Sequence, residues 1–180
     1  MGCGCSLPDD EELEMRGAVM AAAKKNDLEG VRTAIAAVTS TYNDPEKTKS
    51  ACSMLDLPRS DADREERGIL LYMDALKWAA EFGNVEMCKL LIQHGAEVDS
   101  CLYANPSRNG RLTSPGGVTA LGVAALAGQT NAAKCLVEAG ANPDYRDTTG
   151  SSAADLAGIR GEMEVQQYLW SVMKSRQEKP

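Results

Sequence analysis

An internal repeat is the feature that most constrains the fold of this chain. Three segments align on one another: Asp74–Asp99, Thr119–Asp144 and Ser152–Trp170. Each has a glycine at the same position, namely Gly83, Gly128 and Gly161. A fainter fourth copy, residues 18–38, has Asn26 at that position. Repeats of this length form stacks of similar units, so the chain is predicted to be a solenoid.

Each copy is predicted to form two short helices. The first is rich in alanine and ends at the shared glycine, because glycine adopts the left-handed conformation at little cost. The second is amphipathic, with Val85, Cys88 and Leu91 at helical spacing. One helix pair cannot bury its own apolar face, so neighbouring copies must pack together. The predicted fold class is all-α, a short solenoid of helix–turn–helix units with two insertions.

This pattern resembles the ankyrin repeat, which has a period of about 33 residues. The matching residues of one copy are TAL and AA (119–121 and 124–125), then KCLVEAGANPD (134–144). Those of another are AL and AA (75–76 and 79–80), then KLLI and GA (89–92 and 95–96). The resemblance covers most of residues 15–173. It implies an ankyrin solenoid that binds a protein partner.

Two of the family's usual residues are missing from these copies. The family's proline is alanine in each, and its histidine is replaced by Lys77, Gly122 and Asp155. The resemblance therefore implies that the hydroxyl–imidazole network that usually joins neighbouring repeats is absent or replaced.

The pattern predicts a domain organisation in three parts. These are an N-terminal segment at 1–14, a repeat domain at 15–173 and a C-terminal tail at 174–180. The predicted repeats lie near 15–39, 68–99, 117–146 and 147–173, and the insertions are 40–67 and 100–116. In the first insertion, Asp44-Pro45 is typical of a helix start, which predicts a helix near 45–56.

The second insertion introduces positive charge and an aromatic ring into an acidic protein. Asn109-Gly110 is a turn signal, and Tyr103, Arg108 and Arg111 surround it. The segment is interpreted either as a contact loop for a partner or as a loop without one.

The resemblance also implies where a partner would bind. In ankyrin proteins the variable contact positions follow the paired alanines and flank the hairpins between repeats. On this chain they are Glu81, Phe82, Leu126, Ala127, Ile159 and Arg160, joined by His94, Thr148 and Thr149. The hypothesis is a protein-binding groove centred on Phe82 and Leu126. The alternative is that the neighbouring insertion packs over both.

The N-terminal hexapeptide MGCGCS predicts a lipid anchor. Gly2 followed by Ser6 fits M-G-x-x-x-[ST], the pattern for N-myristoylation. A myristoyl chain alone binds membranes with an association constant of only about 10⁴ M⁻¹, so a second signal is needed. No Lys or Arg precedes Arg16, which leaves palmitoylation of Cys3 and Cys5. The competing interpretations are an unmodified terminus and a metal or redox role for the two cysteines.

Composition excludes several classes of function. The net charge of −7 argues against nucleic acid as a partner and against adhesion to anionic lipid by charge alone. One histidine and the absence of known catalytic motifs predict no catalytic residue, metal, cofactor or small-molecule substrate. Cys88 and Cys135 are expected to be buried as reduced thiols, and Trp78 and Trp170 to belong to the core.

Taken together, these observations predict a non-enzymatic protein-interaction adaptor or scaffold. Acyl chains on Gly2, Cys3 and Cys5 would hold it on the cytosolic face of a membrane, with a plasma or specialised surface membrane preferred. The alternative is a soluble structural subunit of a larger cytosolic or cytoskeletal assembly, located in the cytoplasm or cytoskeleton.

Overall fold

The computed structural model describes residues 10–42, 55–56, 73–100 and 117–177. These residues form eight helices and one short strand pair. The helices are α1 (Asp10–Lys24), α2 (Leu28–Tyr42), α3 (Ala75–Glu81), α4 (Val85–Gln93), α5 (Ala120–Leu126), α6 (Thr130–Glu138), α7 (Ala153–Arg160) and α8 (Met163–Gln177). The strands β1 (Leu55–Asp56) and β2 (Met73–Asp74) pair antiparallel.

The eight helices form four antiparallel pairs that stack in two layers. The first helices of the pairs, α1, α3, α5 and α7, pack on one another in that order. The second helices, α2, α4, α6 and α8, form the other layer in the same order. The described residues therefore confirm the predicted all-α solenoid.

The faint first copy also forms a helix pair. Asn26 lies between α1 and α2 with φ of 55°, the left-handed conformation that glycine adopts in the other copies. Asparagine tolerates this conformation better than most residues. The side chain of Asn84 donates a hydrogen bond to Asn26 Oδ1 at 2.8 Å, which joins the turns of the first two pairs.

Close contact between successive turns explains the shared glycine. Gly83 and Gly128 both have φ of 69°. A Cβ atom at Gly83 would collide with the side chain of Gln129, and one at Gly128 with that of Glu162. Glycine is therefore required at both positions for its backbone conformation and for the approach of the next turn.

Small residues bring the first helices together, and leucines fill the space between the layers. Ala79, Ala80, Ala124 and Ala125 are completely buried. The largest fully buried aliphatic side chains of the repeats include Leu76, Leu91, Leu121, Leu136 and Leu169. Burying one leucine side chain contributes about 1.5–3 kcal/mol, so this layer supplies much of the driving force for stacking.

Of the four residues that the sequence pattern assigned to the core, three are buried or partly buried and one is exposed. Cys88 and Cys135 are buried free thiols, as predicted. Trp78 is partly buried and packs against the core. The prediction for Trp170 is wrong, because its side chain is 52% exposed. Trp170 lies in the last repeat, and among the described residues no further helix pair follows that would cover its side chain.

In each of the last three helix pairs, a different set of hydrogen bonds or ion pairs occurs where the family has its hydroxyl–imidazole network. At α3, Asp74 accepts a hydrogen bond from the Lys77 amide and forms an ion pair with its side chain. At α5, the Thr119 hydroxyl accepts from the Gly122 amide at 3.3 Å. At α7, Ser152 and Asp155 cap each other reciprocally, as a capping box.

Only the last two residues of the helix predicted near 45–56, inside the first insertion, lie within the described part of the chain, and they do not form a helix. Residues 43–54 lie outside the described part of the chain. Leu55 and Asp56 form β1 instead, with Leu55 opposite Asp74 and Asp56 opposite Met73. This pairing places Leu55 and Asp56, which lie inside the insertion, beside the start of α3.

Candidate partner-binding surface

The last turns of α3, α5 and α7 form one row along the solenoid, because the first helices stack side by side. We call this row the first-helix rim. It consists of Glu81, Phe82, Leu126, Ala127, Ile159 and Arg160. Phe82 is 41% exposed and Ile159 is 73% exposed, whereas Leu126 and Ala127 are half-buried. Apolar surface therefore extends along the rim, with the exposed Arg160 at its far end.

Phe82 is held in place by its neighbours although it is exposed. Its ring stacks on that of Trp78, with the ring centroids 5.9 Å apart and the planes 22° from parallel. The ammonium group of Lys24 lies 5.9 Å from the centroid of the Trp78 ring. This arrangement links the first two helix pairs. An ordered aromatic ring loses less conformational entropy when a partner binds, so Phe82 is suited to be an anchor.

A half-buried carboxyl group lies next to this aromatic pair. Glu81 Oε2 is buried and has no hydrogen-bond partner among the described residues, and the same is true of Trp78 Nε1. Burial raises the pKa of the Glu81 carboxyl group, because the ionised form loses its hydration. The sequence pattern identified Glu81 only as a contact position, because the burial of a single oxygen atom cannot be predicted from a local sequence pattern.

Three residues that were grouped with this surface lie elsewhere. His94 follows α4, so it lies at the opposite end of its helix pair from the rim. Thr148 and Thr149 lie in the loop before α7. The Thr149 hydroxyl donates to Asp147 Oδ1 at 2.6 Å. The structure therefore brings together the rim residues but not these three.

The loop before α7 is stabilised by its own hydrogen bonds. Asp147 Oδ1 also accepts from the amides of Thr149 and Ser151, at 2.8 and 2.9 Å. Arg146 pairs with Ser152 in a short antiparallel bridge and donates to the Gly150 carbonyl at 2.8 Å. This hairpin is the described example of the projections that were expected between repeats.

Several predicted site residues lie outside the described residues. They are Gly2, Cys3 and Cys5 of the lipidation pattern, and Tyr103, Arg108 and Arg111 of the second insertion. Within the described ranges, no three His, Cys, Asp or Glu side chains are grouped as metal ligands would be. The same ranges contain no helix with the length and apolarity needed to cross a bilayer.

The fold and the rim define a class of protein, a helical-repeat module with an exposed apolar binding row. A family model for ankyrin repeats matches residues 2–147 in three copies. The chain therefore belongs to the ankyrin repeat family. Ankyrin repeats are protein–protein interaction modules, and the proteins that carry them are generally not enzymes.

Comparison with curated proteins gives partial similarity. The chain is 34% identical over 85 residues to the E3 ubiquitin-protein ligase hecd-1 of Caenorhabditis elegans. The aligned part is 47% of this chain and 3% of that protein. The chain thus spans only a small fraction of the length of this relative.

Proposed function

We propose that this protein is a non-enzymatic adaptor or scaffold that binds a protein partner along the first-helix rim. The observation that carries the proposal is the Phe82 ring, which is 41% exposed and is held in place by stacking on Trp78. Binding hot spots are a few well-packed side chains near the centre of an interface, and large aromatic residues are common among them. Leu126 and Ile159 extend the apolar contact along the stack.

Site-specific photo-crosslinking in cells tests the surface directly. A photoreactive phenylalanine analogue replaces Phe82 in one variant and Gln93 in a control variant, because Gln93 is exposed on α4 away from the rim. We expect a discrete protein adduct from position 82 and none from position 93. Equal adducts from both positions, or none from position 82, would contradict the proposed surface.

We further propose that the adaptor is held on the cytosolic face of a plasma or specialised surface membrane by acyl chains. Myristoylation of Gly2 and palmitoylation of Cys3 and Cys5 would supply the anchor. Support comes from the MGCGCS pattern and from the acidic residues that follow it, which exclude a basic patch as the second signal. Two acyl chains together bind a membrane stably, whereas one does not.

Membrane partitioning in a eukaryotic cell tests the anchor. The chain is compared with Gly2→Ala and Cys3→Ser/Cys5→Ser variants, and its intact mass is measured for acyl adducts. We expect only the unaltered chain to pellet with membranes and to enter a detergent phase. If the unaltered chain and both variants remain with a detergent-insoluble complex, the chain is instead a structural subunit of a cytosolic or cytoskeletal assembly.

A further inference from the structure

The row of residues that forms the first-helix rim continues into the first helix pair. Lys25 immediately precedes Asn26, just as Phe82 immediately precedes Gly83, at the turn that follows the first helix. Asn26 and Gly83 share the left-handed conformation, with φ of 55° and 69°. The two turns are therefore structurally equivalent, and α1 packs on α3 as α3 packs on α5. Lys25 thus lies at the start of the row that ends at Arg160.

This row has a positive charge at each end and apolar surface between them. Lys25 and Arg160 are both exposed. Neither forms an ion pair with another of the described residues. Phe82, Leu126 and Ile159 supply the apolar side chains of the row. A ligand that covers the rim therefore meets a cation at both of its ends.

The carboxyl groups closest to this row interact with the protein itself. Asp27 Oδ1 accepts a hydrogen bond from the Gly30 amide at 2.9 Å. The side chain of Glu162 lies against the turn at Gly128, and Glu81 Oε2 is buried. None of these carboxylates is within ion-pair distance of either end cation. More distant acidic residues are screened, because the Debye length is about 8 Å at physiological ionic strength.

We propose that the rim binds an extended protein segment that is acidic at both ends and apolar in the middle. This inference rests on the proposed function, because it uses the same surface. Packed helix axes are about 8–10 Å apart, so the three steps from Lys25 to Arg160 span roughly 24–30 Å. An extended segment covers that distance with about seven to nine residues. Its carboxylates pair with the two cations, and its apolar side chains contact Phe82 and Leu126.

Selection from a random dodecapeptide library displayed on phage tests this chemistry without assuming a sequence. The targets are the full chain and two double variants, Lys25→Glu/Arg160→Glu and Arg32→Glu/Lys89→Glu. Both variants change the net charge by the same amount, but Arg32 and Lys89 lie on second helices. A helical dodecapeptide is only about 18 Å long, so only an extended one reaches both ends of the rim.

We expect the unaltered chain to enrich peptides with acidic residues about seven to nine positions apart and apolar residues between them. Arg32→Glu/Lys89→Glu should enrich the same pattern, whereas Lys25→Glu/Arg160→Glu should enrich basic residues at those two positions. Fluorescence anisotropy then measures the affinity of one enriched acidic peptide. Lys25→Glu and Arg160→Glu should each raise its dissociation constant about fivefold, and Phe82→Ala should raise it about tenfold or more. Thermal melting of each variant separates these effects from a loss of stability.

The outcomes that contradict the proposal are distinct from those that contradict the proposed function. No enrichment, enriched peptides without acidic ends, or an unchanged acidic pattern on Lys25→Glu/Arg160→Glu would each overturn the proposal. If enriched peptides lack acidic ends but still require Phe82, the rim remains a binding surface and only the inference about charge fails. Absence of the crosslink from position 82 in cells would instead contradict the proposed function.

Discussion

The carboxylate of Asp74 lies 3.4 Å from the ammonium group of Lys77, and both side chains are only 3% exposed. Asp74 Oδ1 also accepts from the Lys77 amide at 2.8 Å, and Oδ2 accepts from the Ser100 hydroxyl at 2.8 Å. This buried ion pair occupies the positions where the ankyrin family has a hydroxyl residue and a histidine. It joins the start of α3 to the end of its own repeat.

Removal of one member of this pair should destabilise the fold strongly. Lys77→Met leaves the Asp74 carboxylate buried without its cation, which we expect to reduce the free energy of unfolding by roughly 3–5 kcal/mol. Urea denaturation measures the change. The Asp74→Ser/Lys77→Met variant keeps a helix cap and removes both charges, so it should recover most of the loss. If the double variant is as unstable as the single one, the pair is not the cause.

Phe82→Ala should weaken partner binding far more than it weakens the fold. Its ring is 41% exposed, and the stacking contact with Trp78 is worth about 0.5–1.5 kcal/mol. A hot-spot side chain contributes 2 kcal/mol or more to binding, so recovery of the crosslinked partner should fall at least about thirtyfold. Co-purification and thermal melting are measured on the same preparation. A large loss of stability with undiminished binding would show that Phe82 serves packing alone.

The Glu81 carboxyl group should make stability depend on pH in a defined direction. Its pKa is raised by burial, so the folded protein holds the proton more tightly than the unfolded chain does. The stabilisation is therefore complete below the ordinary value of 4.5 and is lost as pH rises through the folded value. Glu81→Gln should melt at a higher temperature than the unaltered protein at pH 7. The difference should disappear below pH 4.5, and a constant difference at all pH values would contradict this account.

The buried thiols should resist alkylation while the protein is folded. Burial, followed by the proximity of Cys135, raises the pKa of the Cys88 thiol to about 12. Burial is also the largest cause of the raised pKa of Cys135. Thiolate is the reactive form, so iodoacetamide at pH 8 should label neither residue appreciably until urea is added. Peptide mass spectrometry measures each site. Rapid labelling of Cys88 under native conditions would show that its helix pair opens.

The fold was predictable because its signals are local and repeated. Gly83 and Gly128 marked the turns through a backbone conformation that few other residues adopt, and Asn26 marked the first turn in the same way. Apolar residues at helical spacing, such as Leu91, then identified the second helix of each pair. The family's motif placed Phe82 and Leu126 at helix ends, which is where the structure has them.

Other features depend on contacts between residues that are far apart in the chain, and no local pattern records such contacts. The sequence by itself determined the helix pairs, their turns and the alanine faces on which they stack. Only the tertiary structure decided that Trp170 is exposed, that Leu55 pairs with a strand before α3, and that Glu81 Oε2 is buried without a donor among the described residues. Exposure and hydrogen bonding depend on which neighbour covers an atom, and in a solenoid that neighbour belongs to the next repeat.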